Sequence, residues 1–301
     1  MRKLSALSLA LLAAAVLAGC GAATESDSSG SPSPQTANAD SAVVLAATRT
    51  SGAGSARMAM TMKMEMPGLA APVKLGAEGE FDFTVSRGRM TLDYSGLLDA
   101  LGAQAQQAQG FMPDQMIMDG TVMYMRMPAL ASLRPGKSWI RLDIAAAAEQ
   151  QGLDSGLLTS QLGQNDPSKF LEYLQGASER VTEIGPDEVR GVQTTQFHAV
   201  IDLTKAPDYL TDEQKAQFEQ AIEQLSTQSG LTEMPVDVWV DGDGLLRRMV
   251  MNMGFGLPDS AGSVSMLMTM DLFDFGVDVD VEAPSADKVV DFSELAGLGA
   301  S

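Results

Sequence analysis

Methionine occupies every second position in several stretches of this chain: Met58, Met60, Met62, Met64 and Met66; Met123, Met125 and Met127; Met249, Met251 and Met253; Met266, Met268 and Met270. A period of two is that of a β-strand, in which successive side chains point to opposite faces. In the first run the other parity is held by Ala59, Thr61, Lys63 and Glu65. Each run therefore predicts an antiparallel strand with one apolar face and one wet face. Met116 and Met118 form a shorter run, Met90, Leu92 and Tyr94 extend the pattern, and Phe81, Phe83 and Val85 alternate with Asp82 and Thr84. Residues 191–203 read as a long strand. VDVWVDGDGLLRRMVMNM, residues 236–253, reads as a hairpin with Asp-Gly turn residues between two alternating runs.

Helical signals interrupt the strands. Leu97 to Gln109 and Ile144 to Gln151 carry helix-forming composition, and Asp166-Pro167 places an N-cap residue before a proline at the first helical position. Thr211 to Gln214 is a capping-box pattern that opens a helix running to about Ser226. In order, the chain reads as strands, helices, more strands, a helix and three last strands, without a fixed-period repeat.

The N-terminal region has a different character. Arg2 and Lys3 precede an uncharged apolar stretch from Leu4 to Ala18, the layout of an export signal. A membrane span takes about 20 apolar residues, more than this stretch supplies before the chain turns polar. Cys20 is the only cysteine among 301 residues, and Leu17-Ala18-Gly19-Cys20 resembles the bacterial lipobox, whose cysteine is acylated and becomes the mature N-terminus. Acylation accounts for an odd cysteine in an exported chain. Residues 24–40 are rich in Ser, Pro, Thr, Asp and Asn with little to bury, and read as a flexible tether. The expected organisation is a signal peptide over 1–19, a lipidated Cys20 and tether over 20–40, and one folded domain over 41–301.

Charge narrows the partners. The formal net charge is −19, from 39 acidic and 20 basic residues, which repels nucleic acid phosphates and anionic lipid headgroups alike. Attachment to a membrane is then expected to come from acyl chains on Cys20. The expected location is the extracytoplasmic face of the cell membrane, as a monomer. With a single cysteine there is no internal disulfide, so the core alone must supply stability.

The lipobox, the acidic tether, the strand GVQTTQFHAVIDL and above all VWVDGDGLLRRM resemble the actinobacterial lipoproteins of the LppX/LprG group, which share a fold with the LolA and LolB carriers. The resemblance spans roughly residues 41–292. It implies an α+β fold: a single, strongly curved antiparallel sheet, a half-barrel, with helices covering its concave face around an apolar cavity for acyl chains. It also implies lipid transport through the cell envelope, with no catalytic residue and no cofactor. Envelope sensors that bind a protein partner are the alternative on the same architecture. Methionine stands here where aliphatic residues are expected.

A sheet face built of methionine is soft, since three rotatable bonds and a polarizable sulfur adapt to irregular apolar shapes. The residues expected to line the cavity are Met60, Met62, Met64, Phe81, Phe83, Met123, Met125, Met249, Met251, Met266 and Met268. The competing expectation is that the same methionines are packed core. Thioethers also favour Cu(I), but the chain offers only His198 as a histidine, on a predicted strand where a surface or hydrogen-bonded role is expected. Asp241-Gly242-Asp243-Gly244 lacks the further oxygen ligands and closing glutamate of a calcium loop and reads as a turn. No GxSxG, HExxH, Walker loop or GxGxxG in a strand-turn-helix context occurs, so no enzyme is expected.

Overall fold

The computed structural model describes residues 34–67, 71–102, 109–146, 178–204, 232–256 and 263–296, together with Lys215, Glu223 and Ser226. Cys20, the export signal and the expected helix after Asp166 lie outside these residues, as does nearly all of the helix expected from Thr211.

Twelve strands form one sheet: β1 (Ser55–Glu65), β2 (Val73–Asp82), β3 (Arg87–Asp93), β4 (Gln115–Asp119), β5 (Val122–Arg126), β6 (Trp139–Asp143), β7 (Ser178–Val189), β8 (Val192–Asp202), β9 (Glu233–Asp241), β10 (Leu246–Gly256), β11 (Ser263–Phe273) and β12 (Val289–Asp291). Their spatial order is β12-β6-β5-β4-β3-β2-β1-β11-β10-β9-β8-β7, so β12 and β7 are the two edges of an unclosed, curled sheet. Every pair is antiparallel except β12 with β6, which is parallel and makes the sheet mixed. The α+β half-barrel expected from the sequence is the fold of this chain.

Two glycines let β2 and β3 approach closely. A Cβ on Gly79 of β2 would lie 1.9 Å from the carbonyl oxygen of Arg89, and one on Gly88 of β3 would lie 2.3 Å from the ring of Phe81. Neither has an unusual φ; what they provide is room for close approach of adjacent strands.

Helix α1 (Pro34–Gly52) lies on the methionine side of the sheet, against β7 above all and also β9 and β10. Among its described side chains Ala39, Val43, Ala46, Ala47 and Thr50 are buried, a spacing that recurs on one helical face. The Thr50 hydroxyl accepts a hydrogen bond from the Leu246 amide at 2.9 Å, and Arg49 donates to the Asp243 carbonyl. These contacts fix the C-terminal end of α1 to the β9–β10 turn. The helix starts inside the stretch expected to be tether, and Ala39 is 1% exposed. Ala39, a small residue among polar neighbours, is the buried position that falls inside the stretch read as tether. The short helix α2 (Ser95–Leu101) coincides with the start of the helix expected from Leu97.

One strand expectation is corrected. Val85 is 55% exposed in a turn rather than on the apolar face. The Asp82 carboxylate accepts hydrogen bonds from the Thr84 amide and hydroxyl and from the Val85 amide, an aspartate-built turn that stops β2 before the alternation runs out. Phe83 stays buried just past the strand end, its ring 5.7 Å from that of Phe81.

Candidate functional site

Register turns the methionine runs into an array. On β1 and β11, Met60 pairs with Met270, Met62 with Met268 and Met64 with Met266. On β10 and β11, Met249 pairs with Met270, Met251 with Met268 and Met253 with Met266. Residues directly opposite across antiparallel strands share a face, with Cβ atoms about 5 Å apart. Three adjacent strands therefore carry three rows of three methionines. The rows continue outward through Ala77, Leu75 and Val73 on β2 and through Val238 and Val236 on β9.

Burial is graded along the array. Met58, Met249, Met251 and Met270 are buried, whereas Met60, Met62, Met64, Met253, Met266 and Met268 are half-buried. The buried end is the one where β1 starts and β11 stops. There Leu272 and Leu246 are 1% and 0% exposed, and α1 joins the same buried cluster as Phe197, Val236 and Val238. The half-buried end is the opposite end of the same three strands. Among the described residues the packed core thus fills one end of the methionine face and thins toward the other.

The remaining predicted site residues divide. Phe81, Phe83 and Met123 join this same apolar cluster. Met125 instead packs in a second, smaller cluster with Leu130, Ile140 and Val290, so the two methionines of β5 serve different packing units. Met253 and Met270 complete the array, and their alternation with Met249, Met251, Met266 and Met268 was the signal for them.

The outer face is polar and tied together by charge. Arg248 donates to both carboxylate oxygens of Asp271 at 2.6 and 2.8 Å, and Arg190 donates to the same carboxylate at 3.0 Å. Burial pushes the Asp271 carboxyl up, but the hydrogen bonds and charges of Arg248 and Arg190 outweigh it and hold the group below its usual range. The Arg190 guanidinium stacks 4.0 Å over the Phe273 ring, and the Trp239 indole donates to Asp187 at 2.7 Å. Arg190 and Asp187 belong to the β7–β8 hairpin, so this cluster pins the edge hairpin across β9, β10 and β11. Arg190, Arg248 and Asp271 also line a groove of about 730 Å³, together with Glu78, Asp93 and three threonines besides a few small or apolar residues; its charged groups make it a poor site for an acyl chain.

His198 Nδ1 lies 2.9 Å from an Asp237 carboxylate oxygen on the neighbouring strand. The Asp241 carboxylate accepts from the Asp243 and Leu245 amides and from Arg247, which makes the Asp-Gly segment a turn closed on itself. Among the described residues, no group of three His, Cys, Asp or Glu side chains is placed to hold a metal ion.

No protein-family model matches the chain. An uncharacterized 31.2 kDa protein of Streptomyces griseus, from the rplA-rplJ intergenic region, is 31% identical over 228 residues, covering 70% of this chain and 67% of that protein. Among solved structures, LprF from Mycobacterium bovis aligns at 15% identity with a TM-score of 0.42, over 85% of this chain and 100% of that one. The Mycobacterium tuberculosis lipoprotein LppX aligns at 12% identity with a TM-score of 0.40, over 79% and 98%. Both are lipoproteins of the LppX/LprG group that the sequence resembles.

Proposed function

We propose the following reading for a chain that belongs to the family of the uncharacterized 31.2 kDa protein of Streptomyces griseus: it is a lipoprotein, anchored through Cys20 on the outer side of the cell membrane, that holds acyl chains against its methionine face and carries them through the envelope. The observation that supports this most is the graded array. Nine methionines in register on β1, β11 and β10 form a broad apolar surface that is only half-buried at one end. A face meant only for packing is better specified by Leu, Ile and Val, whose rotamers are well defined. Thioether chains conform instead to ligands of irregular shape.

Binding of this kind needs no chemical step. The face supplies apolar area, worth about 25 cal/mol for each Å² removed from water, and the ligand's polar head stays at the half-buried end. Met60, Met62, Met64, Met266 and Met268 are the first candidates for contact, with Met249, Met251, Phe81, Phe83, Met123 and Met125 behind or beside them. The test is a titration of delipidated protein with a fluorescent acyl probe. Saturable binding that weakens at least tenfold in Met62→Gln with Met268→Gln supports the reading, because a buried unpaired amide opposes an acyl chain. Equal binding by parent and variant contradicts it.

A further inference from the structure

We propose that the loops at the half-buried end of the methionine face form a docking rim for an anionic lipid bilayer, an inference that rests on the lipid-carrying reading and supplies its missing step, transfer between protein and membrane. Three chain segments meet there. The β5–β6 connection, residues 127–138, leaves Arg126 and returns at Trp139; residues 109–114 lead into β4; residues 285–288 lead into β12. By strand direction all three lie at the end of the sheet nearest Met64 and Met253, away from the end closed by α1 and Leu246.

Backbone hydrogen bonds hold the segments together. The Ala129 amide donates to the Gly110 carbonyl at 2.7 Å, and the Ser138 amide donates to the Lys288 carbonyl at 2.9 Å. Lys137 Nζ donates to the Ala286 carbonyl at 3.4 Å. This frame presents two large apolar side chains to solvent: Phe111 is 53% exposed and Leu133 is 60% exposed. Beside them stand Arg134, Lys137 and Lys288, with Asp287 as the acidic neighbour of the two lysines. Asp114 is neutralised by a two-point ion pair with Arg126 at 2.7 and 2.8 Å.

Among the rim residues Arg126, Arg134, Lys137 and Lys288 outnumber Asp114 and Asp287, and this local excess of cations in a chain of net charge −19 is complementary to anionic headgroups. Phe111 and Leu133 add insertion at the headgroup boundary, the combination by which peripheral surfaces bind. The rest of the acidic surface is repelled. The result is an orientation in which the half-buried methionines face the bilayer.

The experiment uses the acylated chain, in which Cys20 is blocked, so that an introduced cysteine is the one reactive thiol. Ser132→Cys, between the rim residues, and Gly242→Cys, in the β9–β10 turn at the far end, each carry a polarity-sensitive fluorophore. On vesicles containing anionic lipid, the Ser132 label is expected to shift to the blue and to be quenched by brominated lipid, and the Gly242 label to stay unchanged. Phe111→Asp with Leu133→Asp abolishes the Ser132 response, and zwitterionic vesicles weaken it severalfold. Equal responses of the two labels, no response at Ser132, or indifference to lipid charge overturns the proposal. Lipid content of the same samples, read by mass spectrometry, reports separately on the carrier reading.

Discussion

Met62 of β1 stands directly opposite Met268 of β11, which stands directly opposite Met251 of β10 on its other side. The first two are half-buried and the third is buried, so this row marks where fully packed core gives way to a half-buried apolar face. The proposed ligand site begins there.

Replacing Met62 and Met268 by tryptophan should fill the face and lower bound lipid by most of its amount, with a modest change in thermal stability. If the row were closely packed, the same change would overpack it and cost about 1–3 kcal/mol per site. Melting curves and lipid content measured on the same samples distinguish the two outcomes.

At the buried end the forecast reverses. Leu272, 1% exposed beside Met58, belongs to packing, and Leu272→Ala should cost about 2–5 kcal/mol, visible as a lower denaturation midpoint. Lipid content of the folded fraction should stay at the parent level. A loss of lipid without a loss of stability would put the ligand at the wrong end of the sheet.

Much of this arrangement was legible in sequence. Alternation at Met58–Met64, Met249–Met253 and Met266–Met270 located three strands and their apolar side, and Asp241 to Gly244 located a turn. The array itself was not legible, because alternation says nothing about which strands are neighbours. That β1 lies between β2 and β11 comes from pairings more than 190 residues apart in the chain, such as Met60 with Met270. Helix α1 was missed because its buried face, Ala39, Val43, Ala46, Ala47 and Thr50, is mostly small side chains and begins inside a polar stretch, and Val85 was misplaced because Asp82 captures the following amides. Strands β6 and β7 show little alternation, since β6 is short and β7 is a bulged edge strand.

Asp271 gives a pH dependence with a definite sign. Its carboxyl is held below its usual value in the folded chain by Arg248 and Arg190, so its stabilising contribution is present above the ordinary carboxylate pKa and is lost as pH falls through the lower folded value. Asp271→Asn should destabilise by about 1–3 kcal/mol at pH 7 and flatten the acid limb of stability against pH below about 4. Denaturant midpoints measured from pH 7 down to pH 2.5 check this; an acid limb as steep as that of the parent would assign it to other carboxylates.

Cys20→Ser should yield unacylated precursor or release the protein from membranes, because two acyl chains hold far more firmly than a docking rim alone. Fractionation after a salt wash reads this directly. Membrane retention equal to the parent's would remove the anchor from the account.

The central claim is that lipid occupies the methionine face, and the most direct test is native mass spectrometry of the protein purified from its own host, followed by organic extraction. The account predicts mass in excess of the acylated polypeptide that disappears on extraction and falls sharply in the Met62→Trp, Met268→Trp variant. A folded, acylated protein that leaves its host with no extractable lipid, or whose lipid is unchanged in that variant, contradicts it.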